Sequence, residues 1–125
     1  MDREIAAKIA VSAFYEVYNH LGTGFLEKNY ENALVLELKS RGLNVRQQSP
    51  VEVFYKGQKI GFYLADIVVE DCLILELKAV EEICLEHEAQ LLNYLKATDI
   101  DLGLLMNFGP KPKVRRFVYE TARNK

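Results

Sequence analysis

Two acids and a lysine stand where their chemistry could combine. From Asp66 to Lys78 an apolar run reaches a polar break at Glu70-Asp71 and resumes at Leu73, the pattern of two short strands joined by a turn. On the second strand Ile74, Glu76 and Lys78 point one way and Leu73, Leu75 and Leu77 the other, because side chains alternate between faces. On the first, the same alternation groups Asp66 with Leu64 and Val68. A turn spanning Glu70 to Cys72 sets Val69 opposite Leu73 and Asp66 opposite Glu76, with Cβ atoms about 4.5–5.5 Å apart. Carboxylates so placed repel each other, and partial burial makes the repulsion worse. A divalent cation between them reverses the sign, and Mg²⁺ is commonly held by one or two carboxylates with water and phosphate completing its shell. Lys78 extends over the same place, where it could steady a phosphate. The plainer account of Glu-x-Lys is a solvent-facing ion pair. Against it, the flanking run is apolar on both faces, as in a central strand.

The elements that must position these groups follow from periodicity. Residues 3–20 read as a helix with Ile5, Ile9, Ala13 and Val17 on a narrow apolar stripe, ended by Gly22-Thr23-Gly24. A second helix runs from Leu26 to Arg41 and closes at Gly42, with Tyr30, Leu34 and Leu38 on its apolar face. Glu27 falls in line with that face. It serves either as the third helical residue after a Gly24 N-cap, where an acid suits the macrodipole, or as part of a site. After Val45 to Gln48 and Pro50, Val51 to Tyr55, then Ile60 to Val69 after a turn at Lys56-Gly57-Gln58, then Leu73 to Ala79, make a three-stranded antiparallel meander. A helix from Glu81 to Ala97 follows, its broad apolar face formed by Cys84, Leu85, Leu91, Leu92 and Leu95. Ile83, His87, Gln90 and Tyr94 stack along one edge of it. Gln90 and Tyr94 are either rim residues or face something polar. Leu102 to Asn107 is a further strand, expected beside the central one because a helix crossover precedes it. Val114 to Tyr119 is read as a last edge strand. Lys111, Lys113, Arg115 and Arg116 concentrate positive charge there. They either discourage edge-to-edge pairing or bind phosphate.

Length and composition bound the rest. A chain of 125 residues, half of them hydrophobic, is a single domain with ample core, spanning 1–125. A net charge of −2 argues against nucleic-acid binding by bulk charge and leaves room for an enzyme that brings a cation and a local basic edge. Cys72 and Cys84 are too few for a zinc cage and read as free thiols. With no leader sequence read and no run of transmembrane length, the expected setting is reducing and cytoplasmic, without a membrane.

The assembled order is helix, helix, meander carrying Asp66 and then Glu76-Leu77-Lys78, helix, strand. This resembles the PD-(D/E)XK nuclease superfamily, the restriction-endonuclease-like fold. Gly24-Phe25-Leu26-Glu27-Lys28-Asn29-Tyr30 is similar to the signature of the GxxExxY protein family. The resemblance implies an α+β domain with a mixed sheet, two N-terminal helices, the three-stranded meander, a helix and further strands. It further implies a nuclease that hydrolyses phosphodiester bonds in nucleic acid, DNA first, with Mg²⁺ or Mn²⁺ as cofactor. Position by position, it implies Asp66 and Glu76 as metal-binding acids, with the carbonyl of Leu77 beside them and Glu27 joining directly or through water. Lys78 matches the lysine of the E-x-K element. Gln90-Leu91-Leu92-Asn93-Tyr94 is similar to the Q-x-x-x-Y element that supports the site and touches DNA. Ala65 departs from the proline of the motif's name. Nucleases of this kind often form homodimers, but no interface is legible here. A non-catalytic nucleic-acid- or protein-binding module of the same fold is the alternative.

Overall fold

The computed structural model describes residues 1–120. The last five residues of the 1–125 domain reading lie outside them. Helix α1 (Arg3–Leu21) starts where the Asp2 carboxylate accepts the N–H groups of Glu4 and Ile5, an N-cap that satisfies otherwise orphaned donors. It ends at Gly22, whose φ of +69° suits a residue without Cβ. Helix α2 (Glu27–Ser40) follows, then strands β1 (Val45–Tyr55), β2 (Gln58–Val69) and β3 (Leu73–Lys78), helix α3 (Leu85–Ala97), and strands β4 (Leu102–Asn107) and β5 (Lys113–Val118).

The strands form one sheet in the order β1-β2-β3-β4-β5. Only the β3–β4 pair is parallel, because α3 carries the chain from the end of β3 back to the start of β4. Helices α1 and α2 cover one face. Ala10, Phe14, Tyr30, Leu34 and Leu38 pack there against Ile67, Leu75, Leu77, Leu104 and Met106. Helix α3 covers the other face, with Leu91, Tyr94 and Leu95 against Val51, Ala65, Val68, Ile74 and Leu105. The central strands β3 and β4 are therefore buried on both sides, which is why their sequences are near-continuous apolar runs.

Several expectations are corrected. Ile5 is exposed. The buried stripe of α1 instead runs through Ala6, Ala10, Ala13, Phe14 and Val17, since alanines at the contact allow the helix a close approach. Helix α3 begins at Leu85 rather than Glu81, because the chain bends at residues 80–82 with Val80 held by Asn107, as described below. Cys84 and Leu85 are consequently exposed instead of facing the core. Pro50 does not interrupt β1, because β1 is an edge strand and proline is tolerated there.

Candidate active site

The predicted register holds where the β2–β3 ladder is formed: Val69 pairs with Leu73, Val68 with Ile74 and Ile67 with Leu75. The ladder stops one step short of Asp66 and Glu76, and side chains take over from backbone. The Glu76 carboxylate accepts the Asp66 N–H at 3.0 Å, and the Asp66 carboxylate accepts the Leu77 N–H at 2.8 Å. Each acid is thus fixed by the other strand's main chain, and the two strands splay at this point.

A second irregularity turns Asp66 into the site. In β2, Ala65 belongs to the α3 face whereas Ile67 belongs to the face under α1 and α2. Strict alternation would put both on one face. The switch falls at Asp66 and at the position across from it on β1, Gln48, which is left out of the β1–β2 pairing and has φ +53°. This left-handed conformation is uncommon outside glycine. It corrects the expectation that Leu64 shares a face with Val68: Val68 is buried beneath α3, and Leu64 is exposed. At the switch point Asp66 can meet groups from both layers.

From the α2 side, the Gln48 amide donates to Glu31 at 2.7 Å and to Asp66 at 3.3 Å. Glu31 is buried and also accepts from Lys28 and Gln47. Neither Glu31 nor Gln48 emerged from the sequence reading as a site residue. The available signal was Glu31 following Glu27 by four residues on the same helical face.

Glu27 itself is the first residue of α2, not the third. The N-cap is Leu26, without a side-chain cap bond. Gly24 has a different task, a turn at φ +100°. Tyr30 secures that turn by donating its hydroxyl to the Gly22 carbonyl at 2.6 Å and accepting the Phe25 N–H, while its ring stacks on Phe108 with centroids 4.5 Å apart. Glycine and tyrosine of the heptapeptide thereby hold the loop that delivers Glu27 to the mouth of the site. Glu27 is exposed there. Its carboxyl is nonetheless raised by partial desolvation, with Lys78 opposing and Asp66 and Glu31 reinforcing the shift.

Burial governs the electrostatics. Glu76 is 2% exposed, and its carboxyl is pushed up to about 8, first by burial and then by the charge of Asp66. Asp66 is also raised by burial, with the Leu77 N–H pulling it back and the charge of Glu31 adding to the rise. Lys78 opposes the rise at Glu27, Asp66 and Glu76 alike. Tyr94 is almost fully buried, and its hydroxyl is raised by burial and then by the charge of Glu76. Gln90 donates to that hydroxyl at 3.0 Å. Thus Tyr94, with Gln90 on its hydroxyl, lies within electrostatic reach of the acids from α3, whereas His87 caps its own helix by accepting the Cys84 N–H.

Among the described residues no three acid, histidine or cysteine side chains gather as a metal cluster. The close acidic pair is Asp66 with Glu76. Two carboxylates whose ionisation is opposed by burial, at Glu76 also by the charge of Asp66 and at Asp66 by that of Glu31, form a hard-oxygen donor set that suits a divalent cation. Leu77 has its side chain in the core and its N–H on Asp66.

The basic edge divides. Arg115 lies in register with Leu105, itself opposite Glu76, and is ion-paired with Glu88 of α3 at 2.9 Å. Arg116, expected to bind substrate, instead clasps Glu4 of α1 through its two terminal guanidinium nitrogens at 2.8 and 2.6 Å, since neighbouring strand residues face opposite ways. Lys111 and Lys113 are exposed and, with Glu81, Glu82 and Asn107, line a shallow cavity.

Asn107 and Gly109 hold the segment after Lys78. The Asn107 side chain accepts the Val80 N–H and donates to the Val80 carbonyl, mimicking a strand partner. The Phe108 N–H donates to the Lys78 carbonyl at 2.7 Å. At Gly109 a Cβ would lie 1.9 Å from the Val80 carbonyl oxygen, so only glycine fits.

Among known proteins, no curated sequence matches the chain. The solved structure of SSO0001 is similar in fold, with a TM-score of 0.58 at 18% sequence identity, over 94% of this chain and 60% of that one. The chain therefore spans less than two thirds of that protein's length. No helix among the described residues is long and apolar enough to cross a membrane. The family model described as the PD-(D/E)XK nuclease superfamily matches residues 4–117. That match covers nearly the whole chain, and the chain belongs to the PD-(D/E)XK nuclease superfamily.

Proposed function

We propose that the protein is a divalent-cation-dependent phosphodiesterase acting on nucleic acid, most readily DNA. The observation that supports it is the Asp66–Glu76 pair: a half-buried and a buried carboxyl, each held by the opposite strand's backbone, with ionisation opposed. A pair with only a structural purpose gains nothing from that repulsion, whereas a pair that receives a cation is relieved of it. Asp66 and Glu76 would hold Mg²⁺ or Mn²⁺, with the Leu77 carbonyl completing the protein's share and Glu27 reaching in from the mouth through water. When bound, the cation polarises the scissile phosphate and lowers the pKa of the attacking water.

The remaining work falls to the chain's own groups. Lys78 orients the attacking water and offsets charge developing on the phosphate. Gln90 donates to the Tyr94 hydroxyl, leaving the phenolic proton free to donate toward the acids and fix their orientation. Lys111, Lys113 and Arg115 would attract the substrate's backbone from the β5 side. The test combines Mn²⁺ calorimetry with cleavage of a panel of DNA and RNA substrates. Wild type is expected to bind metal and cleave. Asp66→Ala, Glu76→Ala and Lys78→Ala should lose cleavage, the first two together with metal affinity. Equal cleavage by all four proteins rejects the reading.

A second reading, a non-catalytic binding module, is favoured by one feature: both acids already have backbone partners. On that reading DNA affinity survives Glu76→Gln and is insensitive to metal.

A further inference from the structure

The β1–β2 hairpin runs well past the rest of the sheet. Strand β2 has 12 residues, and only Ile67, Val68 and Val69 pair with β3. The outlying part, residues 53–64, carries four aromatic residues and two lysines and no acid, in a chain of net charge −2. Phe54, Tyr55 and Phe62 are 57–60% exposed. The lysines lie over these rings: Lys56 Nζ is 5.4 Å from the Tyr55 centroid, and Lys59 Nζ is 5.3 Å from that of Phe62. The fourth ring, Tyr63, is different. It packs on Tyr94 of α3 with centroids 5.3 Å apart, which anchors the stem of the hairpin beside the acids.

We propose that this hairpin is the substrate-gripping element and that it takes unpaired nucleobases, so that the protein acts on single-stranded or splayed nucleic acid. The proposal rests on the phosphodiesterase reading for the identity of the polymer. Flat exposed rings interleaved with cations are what a single strand requires, since bases stack on aromatic faces while lysines follow the phosphates. A regular duplex hides its base faces and offers nothing to stack on. The charge argues against a second copy of the chain as occupant. A two-fold contact at the tip would bring Lys56 and Lys59 toward their own equivalents, since the hairpin's exposed acid, Glu52, lies further down, opposite Phe62. The placement is also productive. Phe62 precedes Asp66 by four residues on one strand, about 13 Å at the rise of extended chain, so a strand gripped at the hairpin passes within a few nucleotides of the acids.

The test is anisotropy binding of the full chain to a fluorescein-labelled oligothymidylate and to a duplex of the same length, with Ca²⁺ in place of Mg²⁺ to limit turnover. The single strand is expected to bind more tightly. Phe62→Ala and Tyr55→Ala should each weaken single-strand binding about tenfold and leave duplex binding nearly unchanged, and Phe62→Trp should restore it. Circular dichroism melts report folding, which these exposed positions should not alter. Single-strand affinity unchanged in both Phe62→Ala and Tyr55→Ala overturns the proposal. So does a concentration-dependent dimer, or binding to anionic vesicles, that Phe62→Ala abolishes while oligothymidylate binding persists. Cleavage is read separately. A protein that binds single strands through the hairpin but cuts nothing leaves this proposal standing and removes the enzymatic one. Asp66-dependent cleavage that ignores the hairpin variants does the reverse.

Discussion

Replacing Glu76 by Gln should make the metal-free protein more stable, and only above acidic pH. The substitution keeps the shape and leaves a carbonyl oxygen to accept the Asp66 N–H, a bond now made at 3.0 Å. It removes the charge whose burial raises the carboxyl from 4.5 to about 8. The folded wild type therefore keeps a proton across that interval that the unfolded chain has released. With more protons bound in the native state, stability falls as pH rises through the window and levels off above it. At about 1.4 kcal/mol per pKa unit, the full displacement corresponds to on the order of 5 kcal/mol. Local relaxation and the shared titration with Asp66 reduce this, and about 2–3 kcal/mol is expected at pH 8.5. For a domain of this size that is a rise of roughly 6–12 °C in Tm. At pH 5 the two proteins should melt together. The assay is thermal denaturation by circular dichroism in EDTA from pH 5 to 9, repeated with Mn²⁺. The cation should raise the Tm of wild type at pH 8.5 by ligand linkage and leave Glu76→Gln unmoved. A variant that is less stable than wild type at every pH would refute the claim that this carboxyl is held against its own preference.

Three further outcomes are expected. Gln48→Gly should relieve the left-handed backbone while deleting the bridge from Glu31 to Asp66. Stability should then change by less than about 1 kcal/mol, while Mn²⁺ affinity by calorimetry falls about tenfold. Gly109→Ala should cost about 3 kcal/mol or more in urea unfolding, because the added carbon meets the Val80 carbonyl, part of the backbone. Lys113→Ala should weaken DNA binding and reduce the salt dependence of log K by about one phosphate contact, whereas Arg116→Ala, with its guanidinium on Glu4, should leave that slope unchanged.

What could be read in advance was whatever local periodicity dictates. The face of α2, the turn between β2 and β3, and the run of Val69, Val68 and Ile67 against Leu73, Ile74 and Leu75 all follow from alternation and a short turn. The approach of Asp66 to Glu76 came from the same counting. What lay out of reach was non-local. The face switch at Gln48 and Asp66 needs two strands to distort together, and glutamine gives no sign of a left-handed backbone. The burial of Glu31 depends on amides from β1, sixteen and seventeen residues away along the chain. The charged edge looked uniform in sequence, yet Glu4 and Glu88 claim its two arginines from opposite layers. The late start of α3 is set by Asn107, a residue 27 positions beyond the Val80 it holds.

The Asn107 clasp has a mechanical consequence. Because the Asn107 side chain holds both the N–H and the carbonyl of Val80 and Phe108 fastens the carbonyl of Lys78, the backbone that bears the lysine is braced against β4 in the middle of the sheet. The lysine's end of β3 is tied to β4 rather than to β2, so the parting of β2 and β3 at Asp66 need not loosen it.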